Sequence, residues 1–191
     1  MIEKKLDDTM FETRRLRLRG WRPDDLPSLA PILGDVDVMA FSDGGPLTAE
    51  DQAAWLATAC GAVPAPDLPL NLAIEDLKGA KVVGYISLSQ DPQRVAPDEA
   101  EVGFRLAKSA WGQGIATEAA TCIMEVAGLI AALRRVVAIV DPHNRPSLRV
   151  LAKIGMRYEK DIMFDGYDHP DHLYARDLRL SAPSGFANRA G

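Results

Sequence analysis

The sequence predicts a mixed α/β domain with one strand–helix–strand crossover near its middle. Strand-like and helix-like apolar patterns follow one another in the order β-α-α-β-β-β-α-β-α-β-β. A length of 191 residues, 47% of them hydrophobic, suits one domain with a packed core. We expect a single domain over residues 11–180, a flexible leader over 1–10 and a flexible tail over 181–191.

Charge and cysteine content exclude several classes of protein. The net charge is −5, whereas proteins that coat nucleic acid carry a basic surplus. Two cysteines are too few for a disulfide scaffold or a four-thiolate zinc site. The N-terminus lacks the apolar core of a secretory signal, and charged residues interrupt the apolar stretch 119–140. We therefore expect a cytoplasmic protein with no membrane or nucleic-acid partner, as a monomer or a homodimer.

A strand and two helices are predicted first. Residues 15–19 alternate arginine with leucine, which is typical of a half-buried strand, and the arginines of 14–22 are expected on its solvated face. A helix is predicted to begin within 21–26, where acidic residues occupy the first turn. A second helix over about 48–60 begins with the capping-box pattern Thr-Ala-Glu-Asp.

The middle of the chain predicts a hairpin and a further strand. Three prolines make 61–69 a loop. The apolar runs 71–75 and 82–88 form the hairpin, with Gly79 available for a positive φ in the turn. Another strand is expected over 101–106.

The remaining elements follow a glycine-containing turn. Gly112-Gln113-Gly114 opens a helix whose apolar residues recur every three or four positions as far as Ile130. Residues 136–140 suit a buried parallel strand, and 146–154 a short helix that Gly155 terminates. Two last strands flank a turn, over 156–164 and 172–180.

The glycine turn before a helix predicts a phosphate or pyrophosphate cradle. Glycines let backbone N–H groups approach an anion, and the helix dipole favours negative charge there. A Walker A loop would need a Lys-Ser/Thr pair, which is absent from this stretch, and a dinucleotide fingerprint would need a third glycine where Thr117 stands.

The segment 111–116 resembles the acetyl-CoA loop of the GNAT N-acetyltransferases, whose pattern is Gln/Arg-x-x-Gly-x-Gly/Ala. Trp111 departs from the first position, and an aromatic residue there is usual in the RimJ/RimL-like branch. Further segments resemble the family in the right order, so that the resemblance spans about 12–180: 12–25, 101–104, Asn144-x-x-Ser147 and 153–156.

This resemblance implies the GNAT fold, with a mixed, mostly antiparallel sheet of about six to seven strands and helices on both faces. It implies an enzyme that moves an acetyl group directly from acetyl-CoA to a primary amine: a protein N-terminus, an amino acid or another small amine. The identity of the acceptor stays open. A catalytically silent acyl-CoA-binding module on the same fold, and a protein that binds another nucleotide, are the alternatives.

The cofactor-binding residues expected from the loop and the resemblance form three groups. Backbone amides of the glycine loop would hold the pyrophosphate, one stretch of strand would pair with the pantetheine arm, and a helix-capping asparagine would contact the cofactor. In order these are Gly112, Gln113, Gly114, Ile115, Ala116 and Thr117; Phe104, Arg105 and Leu106; and Asn144. Arg145, Arg149 and Lys153 are expected to be solvated helix charges, with contact to the 3′-phosphate of the cofactor as the alternative.

Glu101 is the predicted general base, acting through water, with Asp98 and Glu99 as competitors. In the family a tyrosine often protonates the departing thiolate, but that position holds Leu151 here, so Ser147 or a water is the predicted donor.

The segment 168–172, Asp-His-Pro-Asp-His, has the composition of an ordinary turn, and no metal site is predicted there. The resemblance places it on the acceptor side, where His169 and His172 would contact substrate. Cys122 is expected to serve packing.

Overall fold

The computed structural model describes residues 4–5, 10–42, 44–61 and 69–178. The predicted tail and most of the predicted leader lie outside these residues. None of the helices among them is long and apolar enough to cross a bilayer.

The described chain forms one nine-stranded sheet with helices on both faces. Its strands, in chain order, are β1 (Lys4–Lys5), β2 (Met10–Glu12), β3 (Leu16–Arg19), β4 (Leu70–Asp76), β5 (Lys81–Ser89), β6 (Glu99–Leu106), β7 (Arg135–Val140), β8 (Arg157–Ile162) and β9 (Asp171–Asp177). The α-helices are α1 (Ala30–Leu33), α2 (Ala49–Gly61), α3 (Ile115–Ala127) and α4 (Arg145–Lys153), with 3₁₀ turns at Pro23–Ser28 and Lys108–Ala110.

The sheet order is β1-β2-β3-β4-β5-β6-β7-β9-β8, and every pair is antiparallel except β6–β7. This confirms the predicted fold class, with a higher strand count than the six to seven expected. The two added strands, β1 and β2, have three residues or fewer, which is too short to show a period-two pattern.

Two apolar cores lie on opposite faces of the sheet. Helices α3 and α4 pack on one face against leucines and isoleucines of β3, β4 and β5. The first 3₁₀ turn, Pro23–Ser28, covers the other face together with α1 and α2, and there Trp21 and Leu56 pack with Ala73 of β4. Alternate residues of β4 therefore serve different cores, as period two requires.

Several predicted local features differ from the structure. The helix predicted to begin within 21–26 is a 3₁₀ turn over Pro23–Ser28, because in an α-helix the ring of Pro27 would clash with the carbonyl four residues earlier. In the hairpin turn the positive φ falls on Ala80 (48°) rather than on Gly79. Helix α3 ends at Ala127, so Ile130 lies beyond it. Gly155, at φ +78°, does terminate α4 as predicted.

The arginine run is only partly the solvated face that its alternation predicts, because Arg14 and Arg22 are exposed but Arg19 is buried. The side chain of Arg19 is only 5% exposed, and its guanidinium forms two 2.8 Å hydrogen bonds with Asp25 and one of 2.6 Å with Glu75. Arg17 also reaches Glu75, at 3.1 Å. The arginines of β3 therefore neutralise carboxylates beneath the helical layer, because β4 and the 3₁₀ turn bring those acids to them.

Candidate active site

The site begins where two parallel strands diverge. Strand β6 pairs with β7 only over Glu99–Glu101, opposite Arg135–Val137. Beyond Glu101, β6 continues along β5 as far as Leu106, while β7 leads away towards α4. The divergence opens a gap in the sheet, with one edge of β6 facing into it.

A cavity of about 590 Å³ lies on one side of this gap. It is lined by β6 at 104–106, by the start of α3 at 114–117 and by α4. All the predicted cofactor-binding residues except Gln113 line it. Arg149 and Lys153 of α4 line it too, so these two basic side chains border the cavity instead of only facing solvent.

The glycine loop has the backbone conformation of an anion cradle. Gly112 and Gly114 have φ of +71° and +77°, which side chains rarely adopt. The first α3 hydrogen bond shown runs from the N–H of Glu118 to the carbonyl of Gly114, at 3.0 Å. The N–H groups of 115–117 precede it, so they belong to the first helical turn, whose donors point outwards.

Distant side chains hold this loop in place. Arg15 donates to the carbonyl of Gln113 at 3.0 Å and to the Glu118 carboxylate at 2.7 Å, and Trp111 Nε1 donates to the carbonyl of Leu106 at 2.8 Å. Burial works to raise the pKa of Glu118, but hydrogen bonds from Thr13 and Arg15 outweigh it and lower that pKa. Sequence reasoning missed Arg15, because nothing local marks an arginine of an alternating strand as an anchor.

Asn144 caps α4, as predicted from its position before Arg145-Pro146. Its Oδ1 accepts a 3.2 Å hydrogen bond from the N–H of Ser147. Both residues line the 590 Å³ cavity and also a second cavity of about 510 Å³ on the other side of the gap. Leu151, one turn further along α4, is buried and lines the second cavity.

The second cavity combines aromatic and charged side chains. Its aromatic residues are Phe41, Phe104, Phe164 and Tyr167, and its charged or titratable ones are Arg94, Glu101, Arg105, Asp141, His169 and Asp171. The two cavities share residues of β6 and of the α4 start, so a ligand in one can meet a ligand in the other.

Glu101 faces this second cavity in a bidentate ion pair. Arg94 Nε lies 2.7 Å from one carboxylate oxygen and Nη2 lies 3.0 Å from the other. The Arg94 guanidinium also lies 5.5 Å from the centre of the Phe164 ring. Each carboxylate oxygen keeps a further lone pair for a water or a substrate hydrogen. The competitor Glu99 contacts Arg135 instead and does not line the cavity.

The two histidines of 168–172 lie in different surroundings. His169 lines the second cavity, where its Nε2 is 3.1 Å from Asp141 and its Nδ1 is 2.6 Å from Asp168. These two carboxylates, Asp168 first, raise the pKa of His169. His172 is absent from the cavity wall and lies 3.5 Å from Asp161 on β8.

Cys122 is buried in α3, and desolvation raises the pKa of its thiol to about 11. A thiol in this state is a poor nucleophile at neutral pH. The thiol therefore serves packing, as predicted.

Comparison with known proteins places this geometry in a family. The model of the acetyltransferase (GNAT) domain matches residues 15–157. The chain belongs to the GNAT family of acetyltransferases. The N-acetyltransferase YnaD of Bacillus subtilis is 31% identical over 147 residues, which cover 77% of this chain and 82% of YnaD.

Two solved structures support the GNAT assignment, and the second also supports the branch. A GNAT acetyltransferase from Bacillus anthracis superposes with a TM-score of 0.77 at 25% identity, covering 88% of this chain and 98% of that one. RimJ of Mycobacterium smegmatis, solved with CoA-disulfide, gives a TM-score of 0.70 at 25% identity, covering 85% and 81%. This GNAT acetyltransferase is of the RimJ/RimL-like branch, as the sequence resemblance predicted.

Proposed function

We propose that this enzyme moves an acetyl group directly from acetyl-CoA to a primary amine, with residues 11–180 acting as one domain. The observation that carries the proposal is the meeting of two cavities at the β6–β7 gap, beside Phe104, Asn144 and Ser147. One cavity ends at a helix N-terminus with basic side chains, and the other contains a carboxylate. Direct transfer requires two such ligand spaces with a shared wall.

The first cavity fits CoA. The N–H groups of 115–117 would hold the diphosphate, and Gly112 and Gly114, which have no side chains, would let it approach the backbone closely. Gln113 would contribute its backbone to the same loop, and Arg149 and Lys153 would attract the phosphates. CoA-disulfide in the related RimJ structure supports this use of the cavity.

The free edge of β6 would hold the pantetheine arm. Residues 104–106 pair with β5 on one side and face the gap on the other. An extended ligand can add to such an edge through backbone hydrogen bonds. The same edge places a backbone N–H beside the reacting carbonyl, where it would stabilise the developing oxyanion.

Glu101 would collect the proton that the amine loses. Acetyl-CoA supplies an activated thioester, and only a neutral amine attacks it. An α-amine has an ordinary pKa of about 8 and a lysine amine about 10.4, so both are largely protonated at neutral pH. Arg94 holds Glu101 at the cavity wall, from which a water can relay the proton. Ser147, or a water beside it, would protonate the departing thiolate.

The acceptor would be a small-molecule or peptide amine. The loop at 163–170 contributes Phe164, Tyr167 and His169 to the wall of the 510 Å³ cavity, and aromatic rings line it. Purified protein should therefore be incubated with acetyl-CoA and a panel of N-terminal peptides, amino acids and small amines. Thiol release together with a product heavier by one acetyl group supports the proposal. The alternative of a catalytically silent acyl-CoA-binding module, which Leu151 favours, predicts acetyl-CoA binding with no thiol release across the panel.

We expect Glu101→Gln to lower kcat/KM by roughly 10²-fold near neutral pH, the lower end of the range for a lost general base. Glutamine keeps an oxygen for Arg94 but cannot accept the proton. Activity should recover partly at high pH, where more of the amine is neutral.

The matched control is Glu99→Gln, two residues away on the same strand and outside the cavity wall. It should keep kcat/KM and its pH profile. A wild-type pH profile of kcat/KM in Glu101→Gln would show that another group, or bulk water, accepts the proton.

Asn144→Asp should weaken acetyl-CoA binding without unfolding the protein. Aspartate caps helices as well as asparagine does, so the hydrogen bond to the Ser147 N–H is kept. The change removes an amide donor and adds a negative charge close to the cofactor, which should cost about 1–3 kcal/mol of binding. Melting temperature without ligand and acetyl-CoA affinity by calorimetry should be measured on the same variant. If neither moves, Asn144 only caps the helix.

A further inference from the structure

Three ligand-type side chains from two separate loops meet beside the second cavity. Asp141 and His143 follow β7, and His169 lies in the turn between β8 and β9. The His169 Nε2 is 3.1 Å from Asp141 Oδ2, and the His143 Nδ1 is 3.0 Å from Asp141 Oδ1. The ligand atoms of all three residues lie within 4.8 Å of one another. We propose that Asp141, His143 and His169 bind a divalent transition-metal ion of the zinc class.

The donor set suits such an ion. Two imidazole nitrogens and one carboxylate oxygen are common zinc ligands, and three protein ligands leave a coordination position open. With metal–ligand bonds of about 2.0–2.1 Å in a tetrahedron, ligand atoms lie roughly 3.3–3.4 Å apart. The two measured separations run to different oxygens of Asp141 and are a few tenths of an ångström shorter, while the full set of ligand atoms lies within 4.8 Å, so the side chains would rotate towards a common point when the ion binds.

A further carboxylate orients one of the ligands. Asp168 Oδ1 lies 2.6 Å from His169 Nδ1. A neutral His169 that donates its Nδ1 hydrogen to Asp168 directs the Nε2 lone pair towards Asp141, where the ion would bind. Metal-bound histidines commonly have such a carboxylate partner, which fixes the tautomer and strengthens the ligand. The N–H of His143 likewise donates to Asp141 Oδ1, at 2.6 Å, and orients that carboxylate.

Charge and access favour the same ligand class. Asp141 and Asp168 place two carboxylates around the cluster, and a dication would balance them. The His143 side chain is 72% exposed, so the ion can enter from solvent, whereas Asp141 is 21% exposed and forms the inner side. Because Asp141 and His169 line the second cavity, a bound ion would lie at the edge of that cavity. Binding itself does not depend on the proposed transfer reaction.

The test uses the whole, untagged chain after treatment with a chelator. Calorimetry should detect saturable binding of one equivalent of Zn²⁺, and Co²⁺ should give visible absorption bands of a low-symmetry site. We expect His143→Ala and His169→Ala each to weaken Zn²⁺ binding by more than ~10-fold, and Asp168→Asn to weaken it by roughly 10-fold. The control His172→Gln alters the other histidine of the segment 168–172, which lies in β9, and should keep wild-type affinity.

Three results would overturn the proposal, and the first two are no saturable Zn²⁺ binding by the wild-type chain and wild-type affinity in His143→Ala. The His143 side chain is exposed and contacts Asp141 and His169 of the cluster, and its backbone hydrogen bond with Arg145 is kept on substitution, so we expect His143→Ala to leave the fold intact. The result for His143→Ala therefore stays interpretable even if His169→Ala lowers the melting temperature. Weakening by His172→Gln equal to that of His143→Ala would also overturn it, since binding would then not be specific to Asp141, His143 and His169.

Discussion

Gly114→Val should abolish acetyl-CoA binding while the protein stays folded. Gly114 has φ +77° and forms the N-cap of α3. A β-branched residue resists that φ and places methyl groups where the diphosphate would approach the helix N-terminus. Calorimetry with acetyl-CoA should show a loss of affinity of at least ~100-fold, because the backbone donors that the phosphates need are displaced together.

The effect of backbone strain in Gly114→Val must be separated from the loss of phosphate binding by the glycine loop. Gly155→Val offers a matched control, since Gly155 has φ +78° at the end of α4 and lines neither cavity. Each variant should lower the free energy of unfolding by about 1–2 kcal/mol through backbone strain. Only Gly114→Val should lose acetyl-CoA. Wild-type affinity for acetyl-CoA in a folded Gly114→Val protein would show that the glycine loop does not bind the phosphates.

Arg19→Met should lower the free energy of unfolding by about 3 kcal/mol, as expected for one half of a buried ion pair that is removed. The variant leaves Asp25 and Glu75 buried without their shared cation, although Arg17 still reaches Glu75, which keeps the cost at the lower end of the usual range. Urea unfolding at pH 7 measures the loss. Arg17→Met, on the same strand but more exposed, should cost about 1 kcal/mol or less.

The Arg19 effect should shrink in acid. Burial works to raise the pKa of Asp25, but hydrogen bonds from Arg19 and from the Arg22 N–H outweigh it and lower that pKa. A lowered folded-state pKa contributes stability above the unfolded value near 4, and that stability is lost as the pH falls through the folded value. The difference in unfolding free energy between wild type and Arg19→Met should therefore narrow from pH 7 to about pH 3. A constant difference would place the effect in packing rather than in charge.

The glycine loop and the α4 cap could be predicted because each depends on residues close together in the chain. A positive φ at Gly114 follows from the chemistry of one residue, and the Asn144 cap follows from its place before Arg145-Pro146. The expectation of a positive φ at Gly79 was wrong, because in this turn local chemistry does not point to one residue alone. Two neighbouring residues could both reach the required turn, and local preference did not decide that Ala80 would adopt it.

Pairings across the fold could not be predicted in the same way. The alternation of β3 correctly places leucines in the core, but it cannot tell a solvated arginine from one that a carboxylate 56 residues away neutralises. Arg94 lies in a loop, and its bidentate contact with Glu101 depends on how that loop folds back over β6.

The sequence by itself determined the order of elements, the family and the conformation of the glycine loop, because hydrophobic period and backbone preference are local properties. Only the tertiary structure decided that β6 and β7 diverge after Glu101, that Arg19 is buried, and that Asp141 and His143 meet His169. These features depend on strand pairing and loop packing between distant residues. Sequence spacing does not tell which residues far apart in the chain lie close in space. The segment 168–172 therefore has only the composition of a turn, and the pairing of β7 with β9 is what brings His169 close to Asp141 and His143.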